Sequence, residues 1–154
     1  MLQRATYLSL LLASAAVAQQ TQPLITESIQ RGASSAVRSQ RLPEFLIVRT
    51  PNEWASAWKL PLMDQHGESS RAIEPLPLVD FQKSMVVGII LPTALHGCTG
   101  VTINRALLSN EQVEVKYRRL KPQAGDICTQ SLTTAYHFAK LPVSLLPVVF
   151  SEEE

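Results

Sequence analysis

Residues 85–91, M-V-V-G-I-I-L, form the most apolar run of the chain after its N-terminus, and their reading decides the fold class. A run of seven residues, bounded by the polar Lys83-Ser84 pair and by Pro92 and rich in β-branched side chains, suits a strand better than a helix. The run is expected in the middle of a sheet. Downstream, residues 92–100 (P-T-A-L-H-G-C-T-G) read as a loop, residues 101–108 as a strand and Ser109-Asn110 as a turn. Past that turn Val113, Val115 and Tyr117 alternate with Glu114, Lys116 and Arg118, the period of two that marks a strand with one wet face. Residues 121–126 read as a loop, 132–140 as a strand and 142–150 as a short last strand, with Glu152, Glu153 and Glu154 expected to fray.

Upstream, residues 24–31 (L-I-T-E-S-I-Q-R) read as a first strand ended by Gly32, and Phe45, Leu46, Ile47 and Val48 as a short buried strand. Thr50, Pro51, Asn52 and Glu53 have the pattern of a capping box with proline at the first helical position, so a helix is expected from Pro51. Trp54 and Trp58, four apart, share one face of it, and Pro61 stops it. Residues 63–77 are polar and proline-rich and read as a surface loop. The sum is an α+β, mainly β chain: a small antiparallel sheet or sandwich-like domain of six to seven short strands with one short helix.

The first 18 residues have the order of a cleavable signal peptide. Arg4 precedes an uncharged apolar stretch over residues 7–17, and Ala16 and Ala18 flank Val17 as an A-x-A site, placing the cut between Ala18 and Gln19. The stretch is about half of the roughly 20 residues that a transmembrane helix needs, which argues against a retained anchor. A secreted or periplasmic protein is expected, with residues 19–154 as a single globular domain. Only Arg4 is lost among the charges, so the 14 Lys and Arg fall to 13 and match the 13 Asp and Glu. A neutral domain without a basic stripe has no electrostatic hold on nucleic acid or on an anionic membrane.

In an exported chain an even pair of cysteines oxidises, so Cys98 and Cys128 are expected to form a disulfide. The competing assignment is a zinc site from His96, Cys98, Cys128 and His137, but these lack the paired C-x-x-C spacing of such sites. Asp64, His66 and Glu68 could likewise gather a metal, although Gly67 and the nearby serines favour a solvated loop. No G-x-S-x-G, P-loop or G-x-G-x-x-G occurs, and no spacing ties His66, His96 or His137 to a carboxylate. The chain is therefore expected to have no catalytic residue and no cofactor.

A run of short motifs resembles the PrcB-like proteins, a family named after a bacterial protease-complex subunit. It comprises E-W-x-x-x-W (Glu53, Trp54, Trp58), V-D-F (Val79, Asp80, Phe81), M-V-V-G (residues 85–88), G-C-T-G-V (97–101), I-C-T-Q (127–130) and T-T-x-Y-H (133–137). The resemblance covers roughly residues 51–150, with Ala135 standing where relatives often carry proline. It supports the Cys98–Cys128 pairing. It also implies an exported, non-catalytic protein whose partner is another exported protein, a secreted protease that it stabilises; the alternative is a secreted protease inhibitor of β-rich fold. The loop over residues 92–100 is the preferred contact, since a disulfide at Cys98 would hold it rigid, and Thr93, Leu95 and His96 are expected to project from it. The sequence assigns no oligomeric state.

Overall fold

The apolar run is a strand, and it is covered on both faces. In the computed structural model, which describes residues 20–64, 66–69 and 75–154, the strands are β1 (Gln22–Leu24), β2 (Glu27–Ser34), β3 (Glu44–Val48), β4 (Ser84–Ile90), β5 (Gly100–Leu108), β6 (Val113–Leu120), β7 (Thr134–Pro142) and β8 (Val148–Glu152). The helix α1 (Pro51–Ala57) and a 3-10 turn (Leu60–Leu62) lie between β3 and β4. The strands make two four-stranded sheets, ordered β1-β5-β6-β8 and β2-β7-β4-β3. Every pairing is antiparallel except that of β6 with β8. The described residues are thus mainly β, with one short helix.

Successive residues of a strand face opposite ways. Met85, Val87, Ile89 and Leu91 therefore meet Ala135, Ala139 and Leu141 of β7 and the inner face of the other sheet, Val101, Ile103, Ala106, Val113, Val115 and Tyr117. Val86 and Ile90 turn the other way, joining Tyr136, Phe138 and Val48 under Trp54, Ala57 and Trp58 of α1. The sheet is the middle layer of three, which is why residues 85–91 carry no polar residue. The helix is fixed by its expected capping box: Glu53 N–H donates to Thr50 Oγ1 at 3.3 Å and Thr50 N–H returns to Glu53 Oε2 at 3.1 Å. The Trp54 indole N–H, buried with its ring, donates to Pro77 O at 2.9 Å.

Four expectations change. Residues 24–31 are not one strand: the chain leaves β1 in one sheet and enters β2 in the other, with Ile25 exposed at the corner, and β2 continues past Gly32 to Ser34. β3 is an edge strand rather than a buried one; Leu46 and Val48 lie under α1 while Phe45 stacks on Phe150 at 4.6 Å between ring centres. The last strand begins only at Val148 and runs parallel to β6. The acidic end is held: Arg119 grips Glu152 with two bonds of 2.8 and 2.6 Å, and Glu153 takes Asn104 and Arg105 at 2.9 and 2.6 Å. These bonds hold both carboxyls below the usual carboxylate range.

Gly88 faces Phe138 across the β4–β7 ladder, and a Cβ added there would lie 2.6 Å from two ring carbons. The ring has nowhere to go, since Trp54, Trp58 and Tyr136 surround it with centroids 5.2, 6.0 and 6.1 Å away. Gly88→Ala is therefore expected to destabilise the fold by about 1–3 kcal/mol in denaturant unfolding. Chain entropy alone predicts the opposite sign, a gain of about 0.4–1 kcal/mol, so a stabilised variant would refute this packing.

Candidate functional site

One end of the sandwich is closed by the loops after β4 and β6. Beyond β4 the ladder continues without regular strand: Leu91 N–H donates to Ala135 O at 2.9 Å, Ala94 and Thr133 exchange bonds of 2.8 and 2.9 Å, and Gly97 N–H donates to Thr129 O at 2.9 Å. Residues 91–97 thus run antiparallel to 129–135. At their far end the sulfurs of Cys98 and Cys128 lie at bonding distance, 1.97 Å, with Cα atoms 5.2 Å apart. Gly97 leaves room here for the Thr129 hydroxyl: a Cβ on it would come within 2.1 Å of Thr129 Oγ1, which would have to turn away.

The three side chains singled out on this loop have different fates. Leu95 sits at the tip, 78% exposed. Thr93 points inward, contrary to expectation. Thr134 gives its hydroxyl proton to the Ala36 carbonyl, so Thr93 donates to Thr134 Oγ1 at 2.8 Å while accepting the Arg38 N–H at 2.9 Å. His96 is half-buried, and its Nδ1 is the one enclosed side-chain polar atom among the described residues without a hydrogen-bond partner. Ile127, beside Cys128, is 99% exposed, and Leu120 and Leu132 are exposed on the same end. A cleft of about 270 Å³ runs between Pro92, Thr93, His96, Thr99 and the Arg119–Pro122 turn, below the usual 300–1,000 Å³ of a small-molecule site. A wider, charged hollow of about 750 Å³ adjoins it between residues 118–123 and Glu152–Glu154. Beside these, Leu95 and Ile127 stand exposed on backbone that the cysteine pair and the cross-loop bonds hold. The expected signal cleavage at Ala18 and Gln19 lies outside the described residues.

The candidate zinc ligands do not converge. The two sulfurs face each other, and His137 lies far from them along β7, buried between the sheets. Asp64, His66 and Glu68 form a turn instead, in which Asp64 Oδ1 accepts the N–H groups of His66 and Glu68 at 2.8 and 3.0 Å and Gly67 adopts φ 81°. Those two backbone donors, that of Glu68 first, hold the Asp64 carboxyl below its ordinary range. Among the described residues no group of three His, Cys, Asp or Glu is placed to hold a metal ion.

Sequence reasoning missed two arginines that organise the ends. Arg38 reaches Leu60 O at 2.7 Å, Gln40 at 2.7 Å and Glu44 at 2.5 Å, so it binds the connection after β2 to the start of β3. Arg49, at the opposite end, donates to Ser144 O and Leu146 O, both at 3.0 Å. The backbone carbonyls that the two guanidiniums hold lie 22 residues from Arg38 and 95 and 97 from Arg49, beyond any spacing that a motif could flag. Comparison with protein-family models, with curated proteins and with solved structures finds no match for this chain, so the PrcB-like likeness rests on the motifs themselves.

His137 ties the two sheets. The bulge at Asn104 and the shortness of β1 leave the Ile103 N–H without a ladder partner on that side, and it donates to His137 Nδ1 at 2.7 Å. Nδ1 is thereby an acceptor, so the ring proton resides on Nε2, which faces Ser28 Oγ at 2.8 Å. Burial, helped by the charge of Arg31, lowers the His137 pKa from 6.5 to about 4. The unfolded chain takes up a proton below about pH 6.5 that the folded one refuses until about pH 4, so stability is full above that window and falls as pH drops through it. The loss is of the order of 3 kcal/mol. Unfolding of the wild type and of His137→Gln at pH 7.5 and 4.5 measures it: glutamine can make both bonds without titrating, so the variant should lose distinctly less stability on acidification. An equal loss would contradict this role.

Proposed function

We propose that this chain is an exported, non-catalytic domain that binds another exported protein, with a secreted protease as the partner class its PrcB-like motifs imply. The observation that carries the reading is the pair Leu95 and Ile127, 78% and 99% exposed on two loops that Cys98, Cys128 and three cross-loop backbone bonds hold together. Large apolar side chains on backbone already fixed lose little ordering entropy when a partner covers them. Burial of each contributes roughly 1.5–3 kcal/mol, enough for two such residues to anchor an interface. The inward turn of Thr93 moves it from the contact to the scaffold, where its bonds to Arg38 and Thr134 brace the loop. Export is consistent with the cysteine pair, and among the described residues no helix is long and apolar enough to cross a membrane.

The test is affinity capture of the mature protein from its own exported proteome, then affinity measurement with the recovered partner. The wild type is expected to hold one specific protein. Leu95→Asp and Ile127→Asp should each weaken it at least tenfold with an unchanged melting temperature, since both side chains already stand in water. Unchanged binding by both variants would move the contact elsewhere, and repeated capture of no specific protein would sink the binding reading.

A further inference from the structure

A second exposed apolar feature lies at the other end of the sandwich, where β7 passes to β8 through residues 143–147, V-S-L-L-P. Exposure alternates along this connection, which bends at Leu146: Val143, Leu145 and Pro147 face solvent, whereas Ser144 and Leu146 are half-buried. Leu145 is 92% exposed, and among the described residues its own N–H and C=O make no hydrogen bond. On either side of it the backbone is tied down. Arg49 donates from Nε to Ser144 O and from Nη2 to Leu146 O, both at 3.0 Å, and Leu146 N–H donates to Ser144 Oγ at 3.2 Å. Further out, Val143 N–H is held by Lys83 O at 2.9 Å and Pro147 O by Val113 N–H at 2.8 Å. Arg49 is itself placed by the start of α1, its N–H donating to Glu53 Oε2 at 2.8 Å.

The geometry points to this segment as an inhibitory strap for a serine endopeptidase with an apolar primary pocket, with Leu145 as the residue that fills the pocket. Endopeptidase clefts take a peptide as an extended strand, pairing its free N–H and C=O groups and reading one side chain in a pocket. Leu145 offers those groups unpaired and a large aliphatic side chain in water. An inhibitor differs from a substrate in the fate of its acyl-enzyme. The serine oxygen bonds to the Leu145 carbonyl carbon, the Leu145–Leu146 C–N bond breaks, and the hydroxyl proton goes to the Leu146 nitrogen. That amine does not diffuse away: Leu146 remains tied through its carbonyl to Arg49, and Pro147 through its own to Val113. The acyl side is held by the Ser144 carbonyl on the same guanidinium. The amine stays beside the acyl carbon and re-forms the peptide bond, returning the proton to the serine, faster than water replaces it. The charged guanidinium makes these the stronger kind of hydrogen bond. The strap shares no residue with the surface around Cys98, so the two readings stand or fall separately.

The mature, oxidised protein is assayed against chymotrypsin and subtilisin, whose pockets accept large apolar side chains, and against trypsin, whose pocket requires a basic one. Stoichiometric inhibition of chymotrypsin or subtilisin at submicromolar protein, without inhibition of trypsin, is expected. Leu145→Lys should lose at least 100-fold toward the enzyme inhibited and gain inhibition of trypsin, a change that no misfolded variant can mimic. Arg49→Met should be cleaved at least tenfold faster than the wild type, giving a fragment that starts at Leu146. Absence of inhibition of both apolar-pocket enzymes, rapid turnover of the wild type between Leu145 and Leu146, or failure of Leu145→Lys to act on trypsin would each overturn the proposal.

Discussion

Phe138 lies against Gly88 at the centre of the β2-β7-β4-β3 sheet, and the third layer of the molecule depends on that close approach. Because residue 88 has no side chain, the ring drops onto the sheet and leaves room above it for both indoles of α1. Trp54 and Trp58, themselves 5.3 Å apart, then cover the outer residues of β4 and β7 that would otherwise face water. A helix of only seven residues is far below the length that is stable alone, so it is the docking of these rings that keeps it folded. With both faces covered, β4 and β7 become the frame from which everything else is hung.

That frame sets what each end can do. β4 and β7 deliver the loops around Cys98 and Cys128 at one end, where the ladder continues into the connections and a side chain such as Leu95 is held out on rigid backbone. At the other end β7 enters the strap braced by Arg49, which is positioned by the last residues of β3 and the first of α1. Between them His137 joins the sheets by completing a hydrogen bond that the bulged β5 cannot make for itself. A neutral histidine is well suited to this, accepting at one nitrogen and donating at the other, and burial between the sheets, with the charge of Arg31, keeps it neutral.

Local chemistry was legible in the sequence wherever the partners are close in the chain. The capping box at Thr50 and Glu53, the wet-faced alternation of Val113, Val115 and Tyr117, and the apolar run of β4 all appear as read. The cysteine pair was legible for a different reason, since only two are present and they meet. What the sequence hid depends on contacts across the fold. The corner between β1 and β2 looks like one strand because both halves have strand composition, and only their different partners, β5 and β7, divide them. Thr93 looked free because nothing near it in sequence could bond it; Arg38 and Thr134 lie 55 and 41 residues away. Arg49 meets the strap at separations of 95 and 97 residues, beyond the reach of any spacing rule.

Native-state hydrogen exchange tests most directly whether β4 and β7, covered on both faces, are the frame of the molecule. Each of these strands is paired on both sides, so the amides of Val86, Val87, Ile89, Phe138 and Ala139 should exchange only through global unfolding, with opening free energies equal to the total stability. Amides of the edge strands β1 and β8 should open at lower cost. Exchange of the β4 and β7 amides through partial openings as frequent as those of β1 would contradict the account.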